Sequence, residues 1–300
     1  MTELNQKKTY YLSITFLVFA TFFWGSTFVL VKETVSIVPI EGFLSVRFLL
    51  ASIFLLLILL LSDWQQVREL ANPAVLKYGF ILGTILFLSF IFQTIGLSLT
   101  TPAKAAFITG LNVLFVPVFS GLPPYNKGVK RVDILLAAMA FLGLGLMTLD
   151  FSNLSVQFGD AIIILTAMAI AYHIIITDDA VRVAILPLLV VQLFTVSTES
   201  YVLSVVRGTT WNPLSGSYPP IVWGTVIITS LLASSFAMWA QTFAQKNHVK
   251  GAKVALIFTF EPIFALLIDI ILGIIPTVPV FIGMVIILVV TIYSLLISES

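Results

Sequence analysis

The sequence predicts an all-α integral membrane protein: ten transmembrane helices arranged as two inverted five-helix repeats. Three observations predict it. The chain has 300 residues, of which 59% are hydrophobic and 10% charged, and its mean hydropathy is +1.11. It divides at charge, Pro and Gly clusters into ten apolar stretches, each close to the length needed to cross a bilayer. A pattern in the fourth stretch returns in the ninth, about half the chain later.

The composition excludes several classes. Soluble domains hold roughly 25% charged and 45–50% apolar residues, so a chain this apolar needs lipid as its solvent. Lys and Arg number 15 against 14 Asp and Glu, a balance that offers no basic footprint for nucleic acid. Cysteine is absent and there are two histidines, which excludes disulfides and thiolate chemistry and argues against a multi-histidine metal site. No HExxH, GxSxG or GxxxxGK[ST] pattern is present, and "GLGL" (143–146) lies inside an apolar stretch rather than in a phosphate-cradling loop. Neither an enzyme nor a cofactor is expected, and ATP-driven transport would need a partner.

The ten expected spans are 11–31, 39–62, 75–97, 102–122, 132–150, 158–178, 184–206, 220–244, 252–273 and 277–297. Lys7 and Lys8 before the first resemble the opening of a signal peptide, but the apolar run outlasts a cleavable one and no A-x-A site follows. It is expected to stay as the first membrane helix. With the N-terminus in the cytoplasm, the cytoplasmic side receives Lys7, Lys8, Arg68, Lys77, Lys127, Lys130, Arg131, Arg182, Lys246, Lys250 and Lys253. The far side receives Lys32, Lys104 and Arg207, while Arg47 lies within a span. This bias predicts an inner (plasma) membrane protein with both termini cytoplasmic.

The repeat is read from "KAAFITGLNVLF" (104–115) and "KVALIFTFEPIF" (253–264), which align without gaps at an offset of 253 − 104 = 149. Lys104, Ala106, Ile108 and Phe115 match Lys253, Ala255, Ile257 and Phe264, and "QT" at 93–94 returns at 241–242. The expected copies are 1–152 and 153–300, within one membrane domain. Five spans is an odd number, so the second copy must run upside down, the plan of alternating-access carriers with a site at the midplane.

"FFWGSTFVLVK" (22–32), "RFLLA" (47–51), "TTPAKAAFITGLNVLFVPV" (100–118) and "FEPIFALL" (260–267) resemble the EamA family of the drug/metabolite transporter superfamily. The resemblance implies a carrier, often an exporter of amino acids or related metabolites, whose central cavity is lined by both copies. The chain departs from the family pattern at "AYHIIITDD" (171–179) and "HVKGAK" (248–253), and in the acidic residues Glu199 and Asp269.

Polar groups inside spans are costly and mark cavities, relays or interhelical bonds. The candidate lining residues are Trp24, Ser26, Arg47, Gln93, Asn112, His173, Gln192, Glu199, Trp239, Gln241 and Glu261. Arg47 sits too deep to snorkel, and either lines the cavity or glues helices. Gln192, Thr195 and Glu199 share a helical face, as do Thr166, His173 and Thr177, then Ser234, Met238 and Gln241, and Ser89 with Gln93. His173 could titrate near neutral pH or be packed. Trp24 and Trp239 lie mid-span, where they form a stacking wall or pack. Glu261 either holds a kinked ninth span by hydrogen bonds or lines the cavity. Pro117 and Pro262 interrupt the fourth and ninth spans and are candidate gating hinges. Gly79 and Gly83 form a GxxxG helix contact.

The expected partners are a small-molecule substrate, amphipathic or zwitterionic, and the lipid bilayer; the oligomeric state is open, and a monomer would suffice. A lipid scramblase or flippase, or a carrier of nucleosides, drugs or sugar derivatives, is the alternative.

Overall fold

The structure, a computed structural model, describes residues 3–62, 64–125, 130–149, 157–214, 216–271 and 275–297. Lys127, the repeat boundary at 152/153, part of the 273–277 connection and the side chain of Asp269 lie outside the described residues.

Every regular element among the described residues is helical. The first half comprises α1 (Glu3–Val35), α2 (Ile40–Leu60), the short α3 (Trp64–Arg68), α4 (Pro73–Leu99), α5 (Pro102–Thr109), α6 (Asn112–Gly121) and α7 (Arg131–Thr148). The second comprises α8 (Phe158–Ala180), α9 (Ile185–Val206), α10 (Pro220–Ser230), α11 (Ala237–Lys246), α12 (Gly251–Phe258), α13 (Glu261–Ile271) and α14 (Val278–Ile297). A π-helical turn, Leu231–Phe236, joins α10 to α11.

Local chemistry sets the starts. Asn72 caps α4 by accepting from Ala74 N at 2.9 Å, with Pro73 at the first helical position. Thr101 does the same for α5 ahead of Pro102. Gln157 and Asp160 form a reciprocal capping box on α8. Each device satisfies amide groups that a helix start leaves orphaned.

Nine helical stretches among the described residues are long and apolar enough to cross a membrane. This is a multi-pass, all-α membrane protein. The expected ninth span, 252–273, is not one of the nine; among the described residues it is α12 and α13, parted by a turn at Thr259–Phe260. Apolar side chains such as Leu50, Phe54 and Leu57 on α2 and Phe281, Val289 and Ile292 on α14 face outward, as lipid-facing surfaces do.

The halves interleave rather than sit side by side. α2 packs on α9, α4 on α8 and α9, α7 on α14, and α1 on α11. Gly79 and Gly83 seat α9 on α4. A Cβ added at Gly83 would lie 2.5 Å from Thr195 Cβ, and one at Gly79 would lie 2.6 Å from Val191 Cγ1. The expected GxxxG contact is therefore an α4–α9 seam.

One end of the bundle is tied by polar bonds. Lys32 Nζ donates to Thr100 O, and Thr100 Oγ1 donates to Asp160 Oδ1 at 2.6 Å. Arg207 pairs with Glu41 at 2.6 Å, and Thr209 Oγ1 donates to the other Glu41 oxygen at 3.1 Å. Glu41 thus answers Arg207 and leaves Arg47 to other partners.

Candidate functional site

A central cavity lies where the two halves meet. Its wall draws on α1, α2, α4, α5, α6, α8, α11, α12 and α13. Seven of the eleven residues singled out in the sequence line it: Trp24, Arg47, Gln93, Asn112, His173, Gln241 and Glu261.

Two broken helices supply the most unusual part of the wall. α5 stops at Thr109 and α6 starts at Asn112; α12 stops at Phe258 and α13 starts at Glu261. The two interruptions fall at the 149-residue offset, since 109 + 149 = 258 and 112 + 149 = 261. Even the tight turn bonds correspond: Leu111 N donates to Ile108 O at 3.1 Å, and Phe260 N to Ile257 O at 2.9 Å.

The causes differ between the two. In the first, Gly110 is a weak helix former, and a Cβ there would collide with Leu144. In the second, Thr259 Oγ1 donates to Leu256 O at 2.6 Å, a local bond that competes with the helix. Pro262, second in α13, has no N–H to reach back to Phe258 O. Pro262 therefore marks its break, whereas Pro117 sits inside α6, beyond the other one. The expected interruption of the fourth span is displaced from Pro117 to Gly110–Leu111.

The polar groups at these breaks are short of partners. Asn112 Nδ2 donates to Thr109 O at 2.7 Å. A carbonyl can only accept, so this bond fixes the amide orientation and leaves Oδ1 as the free face. Asn112 Oδ1 and Thr109 Oγ1 are both buried without a hydrogen-bond partner. Glu261 is half-buried and makes no hydrogen bond or ion pair among the described residues.

Trp24 and Arg47 are held by the π-helical turn. A π turn passes hydrogen bonds five residues back, here Ala237 N to Leu232 O, and so frees nearby acceptors. Ala233 O accepts from Trp24 Nε1 at 2.8 Å and from Arg47 Nη2 at 3.4 Å, while Arg47 Nε donates to Ser234 Oγ at 2.9 Å. The Arg47 guanidinium also lies over the rings of Phe48 and Phe90, 5.0 and 4.8 Å from their centroids. Trp24 meets Phe258 edge-on at 4.8 Å.

His173 and Gln241 form the cavity floor. Gln192 Nε2 lies 2.9 Å from one His173 nitrogen and Gln241 Nε2 lies 3.3 Å from the other. A neutral imidazole has one donor and one acceptor, so one of the two glutamines turns its amide oxygen to the ring. Gln241 continues to Gln245 at 3.2 Å, and Gln245 reaches Asp178 at 2.6 Å and Ile174 O at 2.8 Å. The floor is thus a buried side-chain chain running toward the far end of the bundle.

Four of the singled-out residues do not line the cavity. Gln192 stands behind His173 as its support. Ser26 bonds its own helix at Phe23 O, 3.1 Å. Trp239 joins Phe16, Phe236 and Phe243 in an aromatic cluster, stacked on Phe243 at 5.0 Å. Glu199 is bound by Thr84 Oγ1 at 2.6 Å and lies half-exposed on α9. The stripe Gln192–Thr195–Glu199 spans two contacts: Gln192 turns to His173, while Thr195 and Glu199 serve the α4–α9 seam. Thr109, Phe90 and Phe258 line the cavity without having been singled out; for Thr109 and Phe258, the signal in the sequence was their place one and three residues before Gly110 and Glu261.

Residues 11–149 match the EamA-like transporter family. That match spans just under half of the chain, and the EamA-like family is what this region is similar to. An uncharacterized transporter of Archaeoglobus fulgidus is 27% identical over 246 residues, 81% of this chain and 72% of the relative. The uncharacterized transporter YyaM of Bacillus subtilis is 28% identical over 261 residues, 84% of this chain and 83% of YyaM. One crystal structure shares the fold, with a TM-score of 0.73 at 16% identity over 96% of this chain and 98% of the other. The chain is a membrane transporter, and the cavity is its candidate transport site.

Proposed function

We propose that this EamA-type transporter is a secondary-active carrier that exports amino acids or related small metabolites by alternating access. The observation that carries the reading is a central cavity walled by both halves, with two broken helices placing Asn112 and Glu261 on it. Discontinuous helices at a repeat interface are the usual binding architecture of such carriers, because half-helix ends bring polar groups to mid-membrane depth. In this reading α12 and α13 together make the ninth of ten crossings, the halves are inverted copies, and a monomer suffices.

The wall also limits the cargo. Arg47 is its one Lys or Arg, whereas a phosphorylated sugar would call for several cations. Aromatic rings beside one carboxylate and several amides favour a small amphipathic or zwitterionic solute. The positive-inside bias puts both termini in the cytoplasm of a plasma-membrane protein. The wall uses the later parts of α1 and α4 and the early part of α2, so in that orientation the cavity lies toward the outer leaflet. Transport would require the α1/α4/α2 end to close and the His173–Gln241–Gln245 floor to part. The two helix breaks are the natural bending points, with Pro262 preventing one from healing and Pro117 loosening α6.

Counterflow in proteoliposomes tests this. Vesicles preloaded with an unlabelled amino acid should accumulate the labelled one faster than protein-free vesicles. A screen of amino acids, nucleosides and drugs that yields no counterflow, together with dithionite quenching of inner-leaflet lipid, would overturn it in favour of a scramblase. The same vesicles with and without a pH gradient test proton coupling through Glu261; an unchanged flux removes it.

A further inference from the structure

We infer that the two helix breaks form one primary-ammonium subsite, built from the Glu261 carboxylate, Asn112 Oδ1 and Thr109 Oγ1. This rests on the carrier reading and sharpens it: the substrate is recognised by its amine, and a carboxylate on it is dispensable.

Two unmet polar atoms lie at the first break. Asn112 is 3% exposed and Thr109 is 5% exposed, yet Asn112 Oδ1 and Thr109 Oγ1 bond nothing. Native structures rarely leave such groups orphaned, and an orphan on a cavity wall awaits a donor. Asn112 is locked by its bond to Thr109 O, so it can offer only its acceptor. Glu261, at the matching position of the other break, adds an acceptor-only carboxylate. An ammonium carries three donors and no acceptor, and meets three acceptor groups here.

The surroundings agree with a cation. Phe258 lines the cavity together with Glu261, and Trp24 meets it edge-on. Aromatic faces attract ammonium groups. The C-termini of α5 and α12, whose last carbonyls favour cations, end at the two breaks. Glu261 stands on the first turn of α13, where its carboxylate offsets that helix's positive end.

Arg47 would be the obvious anchor for a substrate carboxylate, but two of its five N–H donors are already engaged on another helix. It donates Nε to Ser234 and Nη2 to Ala233 O, and its plane covers two phenyl rings. Its arrangement is that of a strut between α2 and the π-helical turn.

The test uses three ligands with one apolar body: phenylalanine, its decarboxylated amine phenethylamine, and its deaminated acid 3-phenylpropionate. Thermal shifts are titrated on the purified full chain in potassium buffer, with and without sodium, for wild type, Glu261→Gln and Thr109→Val. The expected result is that phenylalanine and phenethylamine stabilise the protein and 3-phenylpropionate does not. Glu261→Gln should weaken both amines about tenfold or more, since bonds to charged groups carry that much. Thr109→Val, which keeps the shape, should weaken them a few-fold while its unliganded melting temperature holds. If 3-phenylpropionate binds as well as phenylalanine, if none of the three binds, or if sodium alone stabilises, the subsite is overturned. The carrier reading falls separately, on the counterflow screen.

Discussion

The α5/α6 and α12/α13 junctions are built alike and equipped differently. Both interrupt a helix at the same register, both close with the same three-residue turn bond, and both present the first residue of the next helix to the cavity. At one that residue is Asn112, tied to Thr109 O; at the other it is Glu261, free of any such tie among the described residues. The backbone plan is shared while the chemistry is not. Two junctions of one backbone plan can therefore frame an asymmetric site, with the charge on one side only.

Breaking the backbone plan should cost most. Gly110→Val drives a Cβ into Leu144 and its γ-carbons further, and overpacking of this kind costs about 1–3 kcal/mol or more. Thermal unfolding in detergent should show a drop of several degrees. A melting temperature equal to wild type would mean that the first junction does not need its close approach to α7.

Changing the chemistry should instead reach transport and spare the fold. Glu261→Gln should lower counterflow about tenfold or more, and Asn112→Leu only a few-fold, because a lost bond to a charged group outweighs a neutral one. Equal losses would erase the asymmetry between the junctions.

Smaller effects sharpen the comparison. Thr259→Val removes only the bond to Leu256 O, within one helix turn, and should cost about 1 kcal/mol or less in unfolding free energy. The same position in the first junction is Gly110, so the pair should respond unequally. Glu199→Gln should change stability by less than about 0.5 kcal/mol and leave substrate affinity unmoved, since Glu199 is half-exposed and outside the cavity. A loss of affinity there would place the site on the wrong side of α9.

What was legible in the sequence follows from these contrasts. Hydropathy reveals spans because lipid forces nearly every spanning residue to be apolar, and nine of the expected stretches are helical stretches long and apolar enough to cross a membrane among the described residues. The break at 259–260 was not legible as an end, since Thr259 and Phe260 are ordinary helix residues and the signal, Pro262, falls just beyond it. Gly110 was hidden in the same way, while the visible Pro117 drew the hinge too far along. Mid-span polar residues were found easily, but which face they present was not. Glu199 and Trp239 share the periodicity of lining residues and are turned to a helix seam and an aromatic cluster instead. No residue type announced the π-helical turn in "LLASSF", so the partners of Trp24 and Arg47 came from geometry alone.

The central claim is that both junctions face one shared site. Moving the carboxylate tests it most directly. Counterflow of labelled phenylalanine is measured for Glu261→Asn alone and for the exchange Glu261→Asn with Asn112→Glu, each checked for an intact melting transition. The account predicts that the single change abolishes most of the flux and that the exchange restores part of it. Two well-folded variants with equally depressed flux would contradict it.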